Sequence, residues 1–298
     1  MVLIVYWYDF ICFATVAAAI VASLWFLLRR ERGCLGIDDT GHVSLLPLYR
    51  SKSLGSAQLW TSCWTRLHPG WLLFTRSTSF LSMAALLAWD ILKWDASIFV
   101  YYTEWTFMLV IIYFAMGIAA SVYGCLIHSK ELALETGEDV VVEKVGDEFR
   151  QRLEVYGCFM QTIFQTSAGA VVLTDIVFWL VIVPFLSNTR FGLNKLMICM
   201  HTANAGFLLL ETVLNSLKFF CSDFSRSLGF EWDISCYGVV SILSWWPYPF
   251  LELDKPWAPI WYLSMAIVHI PCYGAYAAVV KAKNSCFPYL FPNAFVNP

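Results

Sequence analysis

The stretch 200–215, MHTANAGFLLLETVLN, reads as the interior of an apolar helix, yet it carries His201, Asn204, Glu211 and Asn215. With Leu208 between them, the spacings are 3, 4, 3 and 4, which lays all five along one stripe of a helix. Hydrocarbon cannot satisfy that stripe, so it must face protein or water. The segment predicts a membrane-crossing helix packed within a bundle.

The rest of the chain agrees. Of 298 residues, 59% are hydrophobic and only 14% are charged, with a mean hydropathy of +0.63. A soluble domain carries about 25% charged residues. Aromatic residues make up 17%, including 14 Trp and 14 Tyr, and such rings favour the lipid headgroup level. The net charge of −3 names no partner. Basic residues are not interleaved with aromatics, which argues against nucleic acid. Ten cysteines are scattered with no C-x-x-C spacing, so they read as small packing residues.

A helix needs about 20 apolar residues to cross a bilayer. Seven stretches qualify, near 3–28, 71–92, 98–127, 157–186, 192–217, 234–251 and 258–280. The sixth is short and ends in Pro247 and Pro249. The first lacks a basic start, carries Asp9, and ends in Arg29, Arg30, Glu31 and Arg32, which suits an uncleaved anchor better than a cleaved signal. The expected fold is all-α, a polytopic transmembrane helix bundle of about seven spans. Residues 1–28 are the anchor, 29–70 a cytosolic linker, 71–283 a six-span core and 284–298 a cytosolic tail. With the N-terminus outside, alternate loops hold fourteen Lys and Arg on the inner side against four on the outer. Positive charge collects in cytoplasmic loops, so the C-terminus is expected inside. The acidic, mixed-charge loop 128–156 reads as a solvated surface.

Polar residues inside spans are functional hypotheses, with packing between helices as the competing reading. His201 is expected roughly 9 Å inside the outer end of the fifth span, and Glu211 some 15 Å further on, too far to be its direct partner. Thr106 is expected at a depth similar to His201, in a helix running the same way. Asp175, near mid-span, needs a partner. His269 beside Pro271 reads as filling space near freed carbonyls. Arg76, near a span end, is expected to snorkel to the headgroups. Only His201 and His269 of the five histidines lie well inside spans, and a zinc site needs about three ligands, so no metal and no cofactor are expected.

Two segments carry a family resemblance. EWTFMLVIIYF (104–114) and MHTANAGFLLLE (200–211) resemble the signature segments of the androgen-induced and rolling-stone-like integral membrane proteins. The sequence is nearer the uncharacterised, plant-type branch of that family. The resemblance covers about 71–283 and includes the 95-residue separation of Thr106 and His201. It implies hydrolysis of fatty acid esters with Thr106 as nucleophile and His201 as its partner. A threonine hydroxyl needs an adjacent base, and a buried histidine is held towards the neutral form that accepts a proton. Asn204, one turn from His201, would donate to the developing oxyanion, and Asp175 or Glu104 would orient the ring. The expected partners are the lipid bilayer and a lipid ester entering from the outer leaflet; oligomeric state is not legible. The expected location is the plasma membrane or endoplasmic reticulum. The alternative is a non-enzymatic membrane protein in cell-surface interaction or fusion, with the stripe as helix-packing glue. A transporter is disfavoured because matched, broken helices and repeats are lacking.

Overall fold

The computed structural model describes residues 6–15, 17–18, 21, 36–37, 43–44, 56–135, 147–186, 194–217, 219 and 255–297. Five long helices dominate the described residues: α1 (Pro69–Trp94), α2 (Tyr102–Glu135), α3 (Asp147–Val177), α4 (Lys195–Leu214) and α5 (Ala258–Leu290). Each contains a window long and apolar enough to cross a membrane. The class is all-α; among the described residues the only strands are a two-residue pair, Gly36–Ile37 against Val43–Ser44. The expected first span is described only over 6–15, 17–18 and 21, with 7–15 helical, and the expected sixth span, 234–251, lies outside the described residues.

The helix ends follow local chemistry. Pro69 opens α1, where its missing N–H costs nothing, and the His68 ring accepts from the Gly70 N–H at 3.0 Å. The α1–α2 turn is reversed at Asp95, whose φ of 63° lies in the left-handed region and whose N–H returns to the Ile91 carbonyl. Asn194 caps α4 by accepting from the Leu196 N–H. Beyond Val177, α3 widens into a π-helix over Phe178–Leu186 with Pro184 inside it. Proline lacks the N–H that an α-helix would use there.

Apolar side chains cover the outside as well as the core. Leu81, Leu92, Leu126, Leu180, Ile260 and Leu263 are exposed, as expected for lipid-facing surface. Trp71 and Phe74 are exposed near one end, and Trp89, Trp94, Trp179, Trp257 and Trp261 near the other. Two aromatic levels bracketing an apolar band match a bilayer's two interfaces. Inside, Met83, Val110, Tyr113, Phe114, Met160, Phe164 and Leu208 interlock. Between helices in lipid, such packing replaces the hydrophobic effect as the source of cohesion.

Two segments expected to lie apart from the core are built into it. Residues 56–64, the end of the expected linker, enter the bundle, with Leu59, Trp60 and Cys63 buried. Ser62 bridges to Asn215 and Trp64 to Phe295, which ties the segment to the end of α4 and to the expected tail. Trp60 lies so close to α2 that a Cβ on Gly124 would stand 2.2 Å from the indole Cγ. The linker's interior half was not apparent from its composition, because one tryptophan seated on one glycine leaves no periodic signal.

Candidate functional site

The polar residues gather in two places. The first lies where α1, α2 and α4 meet. Arg76 does not snorkel: it is fully buried, because a carboxylate waits for it on the facing helix. Its Nε and Nη2 donate to Glu211 Oε1 at 3.0 and 2.7 Å. Its Nη1 reaches the Leu59 carbonyl (2.9 Å), the Gly117 carbonyl (3.1 Å) and Ser121 Oγ (2.7 Å). Tyr113 also donates to Glu211 Oε1, at 2.8 Å. Nearby, Lys283 of α5 donates to the Thr212 and Asn215 carbonyls at 2.9 and 3.0 Å, capping the C-terminus of α4. Tyr276 and Thr212 share a hydrogen bond between their hydroxyls.

The second place is the other half of the bundle, between α3 and α4. His201 Nδ1 stands 2.8 Å from Asp175 Oδ1. With the carboxylate accepting, the proton of this bond sits on Nδ1, and Nε2 lies on the far side of the ring. The imidazole stacks on Phe178 with centroids 3.8 Å apart and planes 12° apart. Phe178 is three residues beyond Asp175 and so shares its face of the helix, at the point where α3 widens into the π-turn. The whole stripe read from the sequence is buried: His201, Asn204, Leu208, Glu211 and Asn215. Glu211 pairs with Arg76 and Asp175 with His201, as the separation along α4 demanded.

The remaining candidates fall as follows. Thr106 is buried, and its hydroxyl donates to the Thr103 carbonyl at 2.8 Å, one turn back. The Tyr113–Glu211 bond sets the register of α2 and α4, which run in the same direction. Seven residues back along each lie Thr106 and Asn204, so these two share a level. His201 is three residues further, about 4.5 Å along the axis. Among the described residues no hydrogen bond joins Thr106 to His201. Asn204 is buried with its Oδ1 unpartnered. Glu104 has its Oε2 buried and unpartnered, and its charged neighbour is Asp90 rather than His201. His269 donates from Nδ1 to the Met265 carbonyl at 2.6 Å, and Tyr102 Oη lies 3.5 Å from its Nε2.

Sequence reasoning gave Arg76 the wrong place and missed Tyr113, Asp90 and Phe178. Phe178 had a signal, its i+3 relation to Asp175; the others depend on pairing between helices. No group of three or more metal-ligating side chains occurs among the described residues. Two surface cavities, of about 250 and 370 Å³, are lined by Trp64, Arg66 and Leu214 and by His68, Trp71 and Phe74, and neither borders His201. No protein-family model, curated protein or solved structure matches the chain.

Proposed function

We propose that the chain is a seven-span integral membrane protein, N-terminus outside and C-terminus cytosolic, that hydrolyses lipid esters in the plasma membrane or endoplasmic reticulum. The observation that carries this reading is the Asp175–His201 pair: a base and its orienting carboxylate at 2.8 Å, stacked on Phe178 inside the bundle. A buried imidazole N–H needs an acceptor in any role, and a carboxylate in that place is also the group that orients a general base. The resemblance of 104–114 and 200–211 to the androgen-induced and rolling-stone-like proteins supports the choice of ester and of Thr106.

In the proposed reaction Thr106 leaves the Thr103 carbonyl by rotating its side chain and gives its proton to His201 Nε2. The alkoxide oxygen bonds to the ester carbonyl carbon, and the Asn204 amide donates to the resulting oxyanion. Collapse expels the alcohol, which takes the proton from the imidazolium. Water, deprotonated by the same ring, then releases the fatty acid and restores Thr106. Asp175 keeps Nδ1 protonated throughout. The test is turnover of branched fatty acid esters by purified protein. Thr106→Ala and His201→Ala are expected to lose activity by at least about 10²-fold while remaining folded. Wild-type protein without turnover overturns the reading.

One observation favours the non-enzymatic alternative. The Thr106 hydroxyl is already bonded within its own helix, the usual state of a structural threonine in a span. On that reading His201→Ala disturbs folding or assembly and no hydrolysis is detected in the parent.

A further inference from the structure

The first of the two cavities is built by three separate pieces of chain. It is lined by Trp64, Arg66, Leu67, Leu214 and Ala294 and has a volume of about 250 Å³. Backbone hydrogen bonds pin the three pieces together. The Cys63 N–H donates to the Leu214 carbonyl (3.2 Å), the Thr65 N–H to the Ala294 carbonyl (2.9 Å) and the Val296 N–H to the Cys63 carbonyl (2.8 Å). The Trp64 indole donates to the Val213 carbonyl at 3.0 Å, and its ring packs edge-on against Phe291 and Phe295. The walls are thereby held in place, and all are apolar except Arg66. Arg66 is exposed, and no hydrogen bond or ion pair to it is found among the described residues. No carboxylate lines the cavity. Lys283, 5.9 Å from the Phe295 ring centroid, places a second positive charge behind the same wall.

The second cavity adjoins the first. It is lined by His68, Gly70, Trp71 and Phe74 and measures about 370 Å³. Leu67 lines one and His68 the other, and successive Cα atoms are only about 3.8 Å apart. His68 Nδ1 accepts from the Gly70 N–H, so the ring proton is on Nε2, which is a donor. Trp71 and Phe74 are exposed at one of the two aromatic levels that bracket the apolar band. At the same end, the last turn of α5 and the chain after it expose Tyr289, Leu290, Phe291 and Val296. In water such a patch is a liability; at the headgroup level lipid covers it. A free anion would pair with Arg66 and leave the apolar walls bare. A zwitterionic lipid brings its own cation to compete for its phosphate. A lipid with a net negative headgroup satisfies the guanidinium and the walls together.

We propose that the two cavities bind one anionic glycerophospholipid, with its phosphate on Arg66 and its acyl chains along the walls of Trp64 and Trp71. In the orientation proposed above the site faces the cytosolic leaflet, where anionic lipids are concentrated. The site is separate from the proposed hydrolysis and stands if that reading fails.

Native mass spectrometry of the full chain in detergent tests it, with phosphatidylglycerol and phosphatidylcholine added in equal amounts. The wild type is expected to retain one phosphatidylglycerol, preferred about tenfold, the worth of one charge-assisted hydrogen bond. Arg66→Gln is expected to remove that preference. Ala294→Phe keeps the guanidinium, fills the first cavity and is expected to lose the bound lipid. Both substitutions alter side chains outside the hydrogen bonds that hold the walls. Four results overturn the proposal: equal retention of the two lipids by the wild type; a preference that survives in Arg66→Gln; undiminished retention by Ala294→Phe; or a preference lost in inorganic phosphate but not in sodium chloride of equal ionic strength, which makes the occupant a free anion.

Discussion

The two halves of the bundle treat buried charge in opposite ways. Around Arg76 the guanidinium makes five hydrogen bonds, and Glu211 Oε1 receives donors from two helices besides its own. The Arg76–Glu211 cluster is saturated, although Gln58 Oε1 and Asn284 Oδ1 at the same end are buried without a partner; it holds α1, α2, α4 and the inserted 56–64 segment in one arrangement. Towards the other end Asp175 and His201 pair with Nε2 left over, and Asn204 Oδ1 and Glu104 Oε2 are buried without a partner. Unsaturated polar groups inside a membrane are costly, and it is this half that carries the proposed chemistry. A single stripe on α4 runs through both halves, from His201 to Asn215. The contrast therefore arises from what the neighbouring helices present to it.

The largest expected effect comes from breaking the saturated half. Arg76→Ala leaves Glu211 buried and unpaired, and the expected loss is about 3–5 kcal/mol. Thermal unfolding in detergent should show it, together with a collapse in monodisperse yield. Replacing both members, Arg76→Met with Glu211→Leu, should recover most of that stability. A double variant as unstable as the single one would mean that the cluster does more than pair charges.

Next in size is the seat of the inserted segment. Gly124→Ala drives a methyl group into the Trp60 ring, and overpacking of this kind costs about 1–3 kcal/mol. Trp60→Ala in the same chain should relieve the clash, and measured coupling between the two sites checks the contact. Additive losses would place Trp60 elsewhere.

The smallest effect concerns Cys63, which lies outside the spans. Burial pushes its thiol above the ordinary cysteine range, against the opposing pull of Lys283. A raised acid pKa stabilises the fold below the unfolded value, about 8.5, and that contribution fades as pH rises through the folded value. At neutral pH a maleimide should modify the exposed Cys286 in folded protein and leave Cys63 intact until unfolding. Modification of Cys63 at the same rate would show the 56–64 segment to be detached.

The sequence displayed the helices because each needs about 20 consecutive apolar residues, a signal no loop imitates. Expected spans at 71–92 and 258–280 became Pro69–Trp94 and Ala258–Leu290, since hydropathy marks the lipid-facing length and helices continue past it. The stripe on α4 was legible too, because periodicity within one helix reports its buried face. Pairing between helices was not. Arg76 and Glu211 are 135 residues apart, and nothing in either segment names the other. The same limit made Glu104 a candidate for orienting His201, when its charged neighbour is Asp90 on the adjoining helix.

The account's central claim is that the unsaturated half performs chemistry, and a covalent adduct tests it most directly. Purified protein treated with a fluorophosphonate ester probe should carry the label on Thr106, identified by mass spectrometry of the peptide spanning 104–114. Labelling should be lost in His201→Ala and slowed about 10²–10⁴-fold in Asp175→Asn, with thermal stability close to wild type in the latter. Folded wild-type protein with no adduct at Thr106, or with labelling indifferent to His201, would contradict the claim and leave the α4 stripe as a packing device along its whole length.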